Sequence, residues 1–165
     1  MSDPYNLKQY IRKVEDFPID GITFRDITSL IETPDAFVET CTQLTDITKS
    51  FDATSIASIE SRGFIFAGSI AKDLSLPFIL ARKPGKLPNE TFVKDFDLEY
   101  GSTSTHVHTD AVEKGKKVLI IDDLIATGGT AEAAAKLVEI SKGKVAAFVF
   151  VINLFDLGGS DNLMK

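Results

Sequence analysis

Apolar positions along this chain gather into short unbroken runs separated by polar and glycine-rich turns, and each run ends in residues that could carry chemistry. The most organised stretch reads Val118-Leu119-Ile120-Ile121-Asp122-Asp123-Leu124-Ile125-Ala126-Thr127-Gly128-Gly129-Thr130. Four consecutive aliphatic residues between Lys116-Lys117 and Asp122-Asp123 suit a parallel strand covered on both faces. The carboxylates then fall at the C-terminal end of that strand, with a helix starting near Thr130. Thr54 to Ile59 repeats the arrangement: a buried strand, then Glu60-Ser61-Arg62-Gly63, then a helix from about Phe64 to Leu74.

The remaining elements follow from the same patterns. Pro77 to Ala81 and Val145 to Ile152 read as further strands, and Ala134, Leu137, Val138 and Ser141 mark one helix face, with Gly143 as its terminator. From Asn89 to Thr109 polar and β-prone residues alternate, as in an exposed two-stranded arm. Near the N-terminus, Leu7, Tyr10, Ile11 and Val14 have the spacing of a short amphipathic helix. Asp16 to Glu32 reads as an extended loop. Thr33-Pro34 signals a helix start, with Phe37, Cys41, Leu44, Thr48 and Phe51 along one face. Asn153 to Lys165 is polar and weakly patterned. The expected fold class is α/β: one domain over residues 1–165, with a mainly parallel central sheet flanked by helices and joined by right-handed crossovers.

In open α/β sheets ligands bind at the C-terminal ends of the strands, and the helix near Thr130 would aim its free N–H groups at that edge. Ala126, Gly128 and Gly129 let the backbone approach a ligand, and the Thr127 and Thr130 hydroxyls add donors, a set that suits one phosphate group. Carboxylates beside a phosphate site are placed to accept hydrogen bonds from sugar hydroxyls, so Asp122 and Asp123 imply a ribose 5-phosphate. The competing reading is a helix-capping turn without a ligand. Arg62 could grip a second phosphate with its planar fork, helped by Ser61, or form a surface pair with Glu60. Arg82, Lys83 and Lys86 form a basic loop among turn formers. His106 and His108 alternate on one strand face, but no third metal ligand is near in the sequence.

Composition narrows the function. The 165 residues carry 18 Lys and Arg against 24 Asp and Glu, a net charge of -6, which argues against a sequence-independent nucleic-acid binder. No apolar run reaches membrane-spanning length, the N-terminus lacks the pattern of a signal peptide, and the single cysteine, Cys41, cannot form an internal disulfide. A cytoplasmic protein without a membrane or nucleic-acid partner is expected.

The stretch Asp122 to Thr130 resembles the 5-phosphoribosyl-1-pyrophosphate motif of the type I phosphoribosyltransferases, in the version found in their adenine-specific branch. The resemblance extends over roughly Asp16 to Leu157. It implies a small N-terminal hood over about residues 1–33 and a flexible arm over about 89–109 that closes on the site. It also implies transfer of 5-phosphoribosyl from phosphoribosyl pyrophosphate to adenine, giving AMP and pyrophosphate. By the same resemblance Asp122, Asp123 and Ala126 to Thr130 bind the phosphoribosyl group. Ser61, Arg62, Arg82, Lys83 and Lys86 bind pyrophosphate. Thr23, Phe24, Arg25 and Leu124 meet the adenine, Phe24 by stacking, although Phe24 could equally be an anchored core residue. Glu99, within Glu99-Tyr100-Gly101-Ser102, takes the proton that the base loses. Mg²⁺ arrives on the substrate, with Asp122 and Asp123 touching it directly or through water. A homodimer is implied, with Arg82 reaching across its interface. The alternatives are another acceptor base, such as hypoxanthine, guanine or xanthine, and a nucleotide-sensing regulator on the same fold.

Overall fold

In the computed structural model, which describes residues 5–98 and 101–164, the N-terminal apolar positions serve a different element from the one their spacing predicts. Leu7–Tyr10 forms only one 3-10 turn, and Arg12–Val14 is a strand, β1. It pairs antiparallel with β2, Phe24–Asp26, so that Arg12 faces Asp26 and Val14 faces Phe24. A helix this short is marginal on its own, and the ladder gives the same backbone groups partners. The expected loop from Asp16 to Glu32 therefore contains β2 and the helical turn α1, Thr28–Glu32. Asp26 starts that turn by accepting a hydrogen bond from the Thr28 N–H at 2.9 Å.

Helix α2, Pro34–Lys49, begins at Pro34 as expected. The Thr33 hydroxyl does not cap it: it donates back to the Ser29 carbonyl at 2.9 Å, tying off α1. Ala36, Cys41, Leu44 and Thr48 form the buried face of α2, whereas Phe51, beyond its end, is exposed. The chain divides into two units, Met1–Gln43 and Leu44–Lys165.

The second unit is built on strands β3, Ser55–Ile59, and β4, Phe78–Ala81, with helix α3, Gly63–Leu74, between them. An antiparallel pair, β5, Thr91–Leu98, and β6, Gly101–His108, follows. Then come β7, Lys117–Ile125, helix α4, Gly129–Ile140, β8, Lys144–Asn153, and a short helix α5, Gly159–Leu163. Four strands pair in parallel in the order β4-β3-β7-β8, with α3 and α4 packed on them. This is the α/β architecture that the apolar runs predict. Every residue of β3 is buried, as a strand covered on both faces requires.

Ala57, Ile79, Val118 and Ile120 pack with Ala134, Leu137 and Val138 of α4, while Phe66 and Ile70 of α3 are fully buried. Burying each large aliphatic or aromatic side chain contributes about 1.5–3 kcal/mol.

Two details differ from expectation and bear on the site. β7 does not end at Ile121: its pairing with β8 continues past the carboxylates to Ile125 and Asn153. Asp122 and Asp123 are therefore strand residues, held by a hydrogen-bond ladder. The arm is also anchored at its base. Arg82 and His106 exchange two main-chain hydrogen bonds of 2.8 Å, and Val107 lies in the core. At the end of α4 the left-handed residue is Lys142, at φ 66°, and not the expected Gly143. Among the described residues, no helix is long and apolar enough to cross a membrane.

Candidate active site

Because β4, β3 and β7 are parallel neighbours, the loops that follow them emerge side by side at one edge of the sheet. Those loops carry Arg82-Lys83, Glu60-Ser61-Arg62, and the stretch that leads from the β7 carboxylates into α4. The close approach is made by Gly63, the first residue of α3. A Cβ there would fall on Asp122 Oδ1 and Ser58 Oγ, so only glycine lets α3 start against β7.

Charge pairing at this edge differs from the local pairing open to the sequence. Arg62 does not pair with Glu60: its Nε lies 2.8 Å from Asp123 Oδ2, across from β3 to β7. Glu60 instead accepts hydrogen bonds from Arg82 Nε at 3.2 Å, Arg82 Nη2 at 3.4 Å and the Lys83 N–H at 3.1 Å. The Lys83 N–H first and the Arg82 guanidinium second hold the Glu60 carboxyl below its ordinary value. Arg82 also donates from Nη1 to the Lys86 carbonyl at 3.2 Å. Arg82 is thus held within its own chain, while the Lys83 and Lys86 side chains are exposed. Ser61 follows Glu60 through a cis peptide bond.

The paired aspartates lie in an environment that opposes their charge. Asp123 is only 5% exposed, and its N–H donates to Asp122 Oδ1 at 2.9 Å. Burial, and after it the neighbouring Asp123 charge, pushes the Asp122 carboxyl well above its ordinary 3.8. Burial also raises Asp123, against the pull of the Arg62 guanidinium. A raised folded-state pKa contributes stability below the unfolded value near 3.8, and that contribution is lost as pH rises through the folded value. At neutral pH, above the unfolded value, the burial of Asp122 therefore costs stability. Asp122→Asn, which keeps an acceptor for the Asp123 N–H, is expected to raise the thermal midpoint of the ligand-free protein at pH 7. The rise should be roughly 2–4 °C per kcal/mol of penalty removed, shrinking as the buffer is acidified. Scanning calorimetry at pH 7 and pH 4 checks this, and an equal shift at both would contradict it.

Beyond the carboxylates, the loop Ala126 to Thr130 turns into α4 through Gly128, which sits at the helix N-cap at φ 94° with no side-chain cap. The first N–H groups of a helix have no partner within it, and here no side chain takes the capping position. A helix N-terminus of this kind, at the positive end of the helix dipole, favours an anion with several oxygens. Thr127 and Thr130 bracket it with hydroxyls.

The other expected site residues divide by location. Leu124 is half-buried in β7, two residues after Asp122. Thr23, Phe24 and Arg25 belong to the N-terminal unit, where the Thr23 hydroxyl donates to Glu15 Oε2 at 2.6 Å. The Phe24 ring meets Phe17 edge to face, with centroids 5.2 Å apart. Phe24 is half-buried and does not belong to the fully buried core. Glu99 lies outside the described residues. His106 is engaged within the arm, its ring nitrogens 3.1 Å from Thr91 Oγ1 and 3.3 Å from Ser104 Oγ.

Glu60 was visible in the sequence beside Arg62, but its partner, Arg82, lies in the loop that follows β4. A second group gave almost no sequence signal: Gly159 and Asn162, in the weakly patterned C-terminal stretch, contact the loop Ala126 to Thr130. The Gly158-Gly159 pair was the only hint.

Comparison with known proteins agrees with this geometry. A family model described as a phosphoribosyl transferase domain matches residues 42–156. An adenine phosphoribosyltransferase of Pelagibacter ubique is 60% identical over 160 residues, a match that spans 97% of this chain and 91% of the relative. The crystal structure of adenine phosphoribosyltransferase from Thermoanaerobacter pseudethanolicus aligns with a TM-score of 0.93 at 42% identity, covering 96% of this chain and 92% of that one. The Saccharomyces cerevisiae enzyme, in complex with D-2,5-dideoxy-2,5-imino-altritol 1,6-bisphosphate and adenine, aligns at 0.88 with 34% identity, covering 95% of this chain and 92% of that one.

Proposed function

Since this chain belongs to the phosphoribosyltransferase family, we propose that it is an adenine phosphoribosyltransferase that displaces pyrophosphate from phosphoribosyl pyrophosphate with adenine, giving AMP. The observation that carries the reading is the junction of β7 and α4, where the buried Asp123 and half-buried Asp122 precede a helix N-terminus without a side-chain cap. The loop Ala126 to Thr130 takes the 5-phosphate. Asp122 and Asp123 accept hydrogen bonds from the ribose hydroxyls and stand near the positive charge that develops on the ring as the anomeric bond breaks. Positioning and electrostatics supply most of the rate enhancement.

Ser61, Arg62, Arg82, Lys83 and Lys86 bind the leaving pyrophosphate. Arg62 and Arg82 rest on Asp123 and Glu60 in the free protein, so pyrophosphate exchanges one set of anions for another around the same guanidinium groups. Asp122 and Asp123 would hold a substrate-borne Mg²⁺, directly or through water, and the ion would supply charge neutralisation for the leaving group. Two carboxylates at the edge suit an ion that keeps water and substrate oxygens in its other positions. Thr23, Phe24, Arg25 and Leu124 read the base, and Glu99 accepts its proton. The reading also includes a cytoplasmic homodimer. It rests on the family resemblance, and light scattering of the natural protein beside Arg82→Ala tests it.

Steady-state assays with phosphoribosyl pyrophosphate, Mg²⁺ and each purine base in turn test the function. Adenine should exceed hypoxanthine, guanine and xanthine in kcat/KM by at least about a hundredfold, since hydrogen-bonded base edges discriminate strongly. Turnover of another base with adenine inert would overturn the assignment. Phe24→Ala should raise the KM for adenine about tenfold, as expected from losing about 1–2 kcal/mol of stacking, and leave the KM for phosphoribosyl pyrophosphate within twofold.

A further inference from the structure

The C-terminal stretch, to which the proposed chemistry assigns no role, makes one hydrogen bond to Ile125, the last residue of β7, and two to the loop that follows it. The Leu154 N–H donates to the Ile125 carbonyl at 3.0 Å, and the Gly159 N–H to the Ala126 carbonyl at 3.1 Å. The Asn162 Nδ2 donates to the Thr127 carbonyl at 3.3 Å. In a trans peptide unit the carbonyl and the following N–H point in opposite directions. Fixing the carbonyls of Ile125, Ala126 and Thr127 toward the C-terminal stretch therefore turns the N–H groups of Ala126, Thr127 and Gly128 away from it. That is the side on which an anion can be met.

The two segments touch with no side chain between them. A Cβ on Gly159 would fall on the Ala126 carbonyl oxygen and come within 2.8 Å of Gly128 N. A Cβ on Gly128 would meet the Gly159 carbonyl oxygen at 3.0 Å and strain the backbone at φ 94°.

We propose that Gly159 and Asn162 are positioning residues: with the backbone around them they hold the phosphate loop in the orientation that receives the 5-phosphate. This rests on the assignment of Ala126 to Thr130 as the phosphate site. Neither residue touches substrate in this scheme, and each acts through the carbonyls that it orients. A helix-to-loop contact of this kind sets affinity for one substrate group and leaves the rest of the site alone. Its signature is a selective loss of phosphate recognition.

The test uses Gly159→Ala and Asn162→Ala beside the natural protein, with AMP affinity from calorimetry, both KM values, and thermal midpoints as a control for folding. Gly159→Ala should raise the Kd for AMP and the KM for phosphoribosyl pyrophosphate at least tenfold, with the KM for adenine within twofold. Asn162→Ala should shift the same two quantities two- to fivefold in the same direction. If folded Gly159→Ala binds AMP like the natural protein, or loses adenine in the same proportion, the proposal is wrong. If Gly159→Ala does not fold, Asn162→Ala decides alone, and an unchanged AMP affinity overturns the positioning role. A natural protein that binds neither AMP nor phosphoribosyl pyrophosphate would instead overturn the assignment of the site, and this inference with it.

Discussion

Replacing Asp122 and Asp123 together with alanine is expected to lower kcat/KM for phosphoribosyl pyrophosphate by about ten-thousandfold while leaving the protein folded. A hydrogen bond to a charged group is worth roughly 1.5–3 kcal/mol, and in the proposed mechanism the pair accepts from two hydroxyls. Their charge also faces the developing positive ring, where removing a single electrostatic contact costs about a hundredfold or more in other enzymes. Together these amount to about 5–6 kcal/mol, the energy of a ten-thousandfold change. Stability should respond differently. The carboxyls are raised in pKa because the site disfavours their charge, so their removal takes away a penalty at neutral pH. Arg62 loses its ion pair with Asp123 but is 37% exposed and keeps access to water. The thermal midpoint should therefore stay within a few degrees of the natural protein's. Residual kcat/KM within tenfold of natural would remove the carboxylates from the mechanism. A fall in midpoint of ten degrees or more would mean that they serve mainly to hold the fold.

Arg62→Ala should produce the second largest effect, and it should do so twice. In the proposed mechanism the guanidinium supplies a two-pronged contact to pyrophosphate, so the KM for phosphoribosyl pyrophosphate should rise by about a hundredfold, equivalent to about 3 kcal/mol. In the free protein the same substitution strands Asp123, a nearly buried carboxylate whose ion pair at 2.8 Å is gone. Breaking a buried pair from one side costs roughly 3–5 kcal/mol, and the partial exposure of Arg62 reduces this to about 1–3 kcal/mol.

The sign with pH follows from the role of Arg62 in pulling the Asp123 pKa down. Without it that pKa rises further. The natural protein's advantage over the variant is present where Asp123 is ionised, and it is lost as pH falls through the folded pKa of Asp123. Denaturant midpoints should thus diverge at pH 7 and converge near pH 4. In an Asp123→Ala background the stability cost of Arg62→Ala should shrink, because there is no stranded charge left. Equal destabilisation in both backgrounds would mean that Arg62 acts through contacts other than Asp123.

The same loop shows where sequence reasoning works and where it stops. The strand-to-helix junction was legible because its parts are adjacent: carboxylates, small residues and hydroxyls fall in order from Asp122 to Thr130, with the strand before and the helix after. The helix from Gly63 and the strand from Ser55 were equally plain, because a continuous apolar run is a local property. The N-terminal stretch failed the same method. Leu7, Tyr10, Ile11 and Val14 have helical spacing, but the partner that makes Arg12–Val14 a strand is Phe24–Asp26, beyond an intervening turn.

The amino-acid sequence by itself determined the α/β class, the parallel strands and the identity of the groups at their ends, because burying aliphatic runs and opening helices are decisions taken within a few residues. Tertiary structure alone decided which charges face one another and what supports the loop. Arg62 reaches Asp123 because β3 and β7 pair with Ser58 beside Ile121. Gly159 meets Gly128 because the chain leaving β8 returns beneath the loop. Strand register and chain return are set by the packing of the whole sheet, and no short window of sequence carries them.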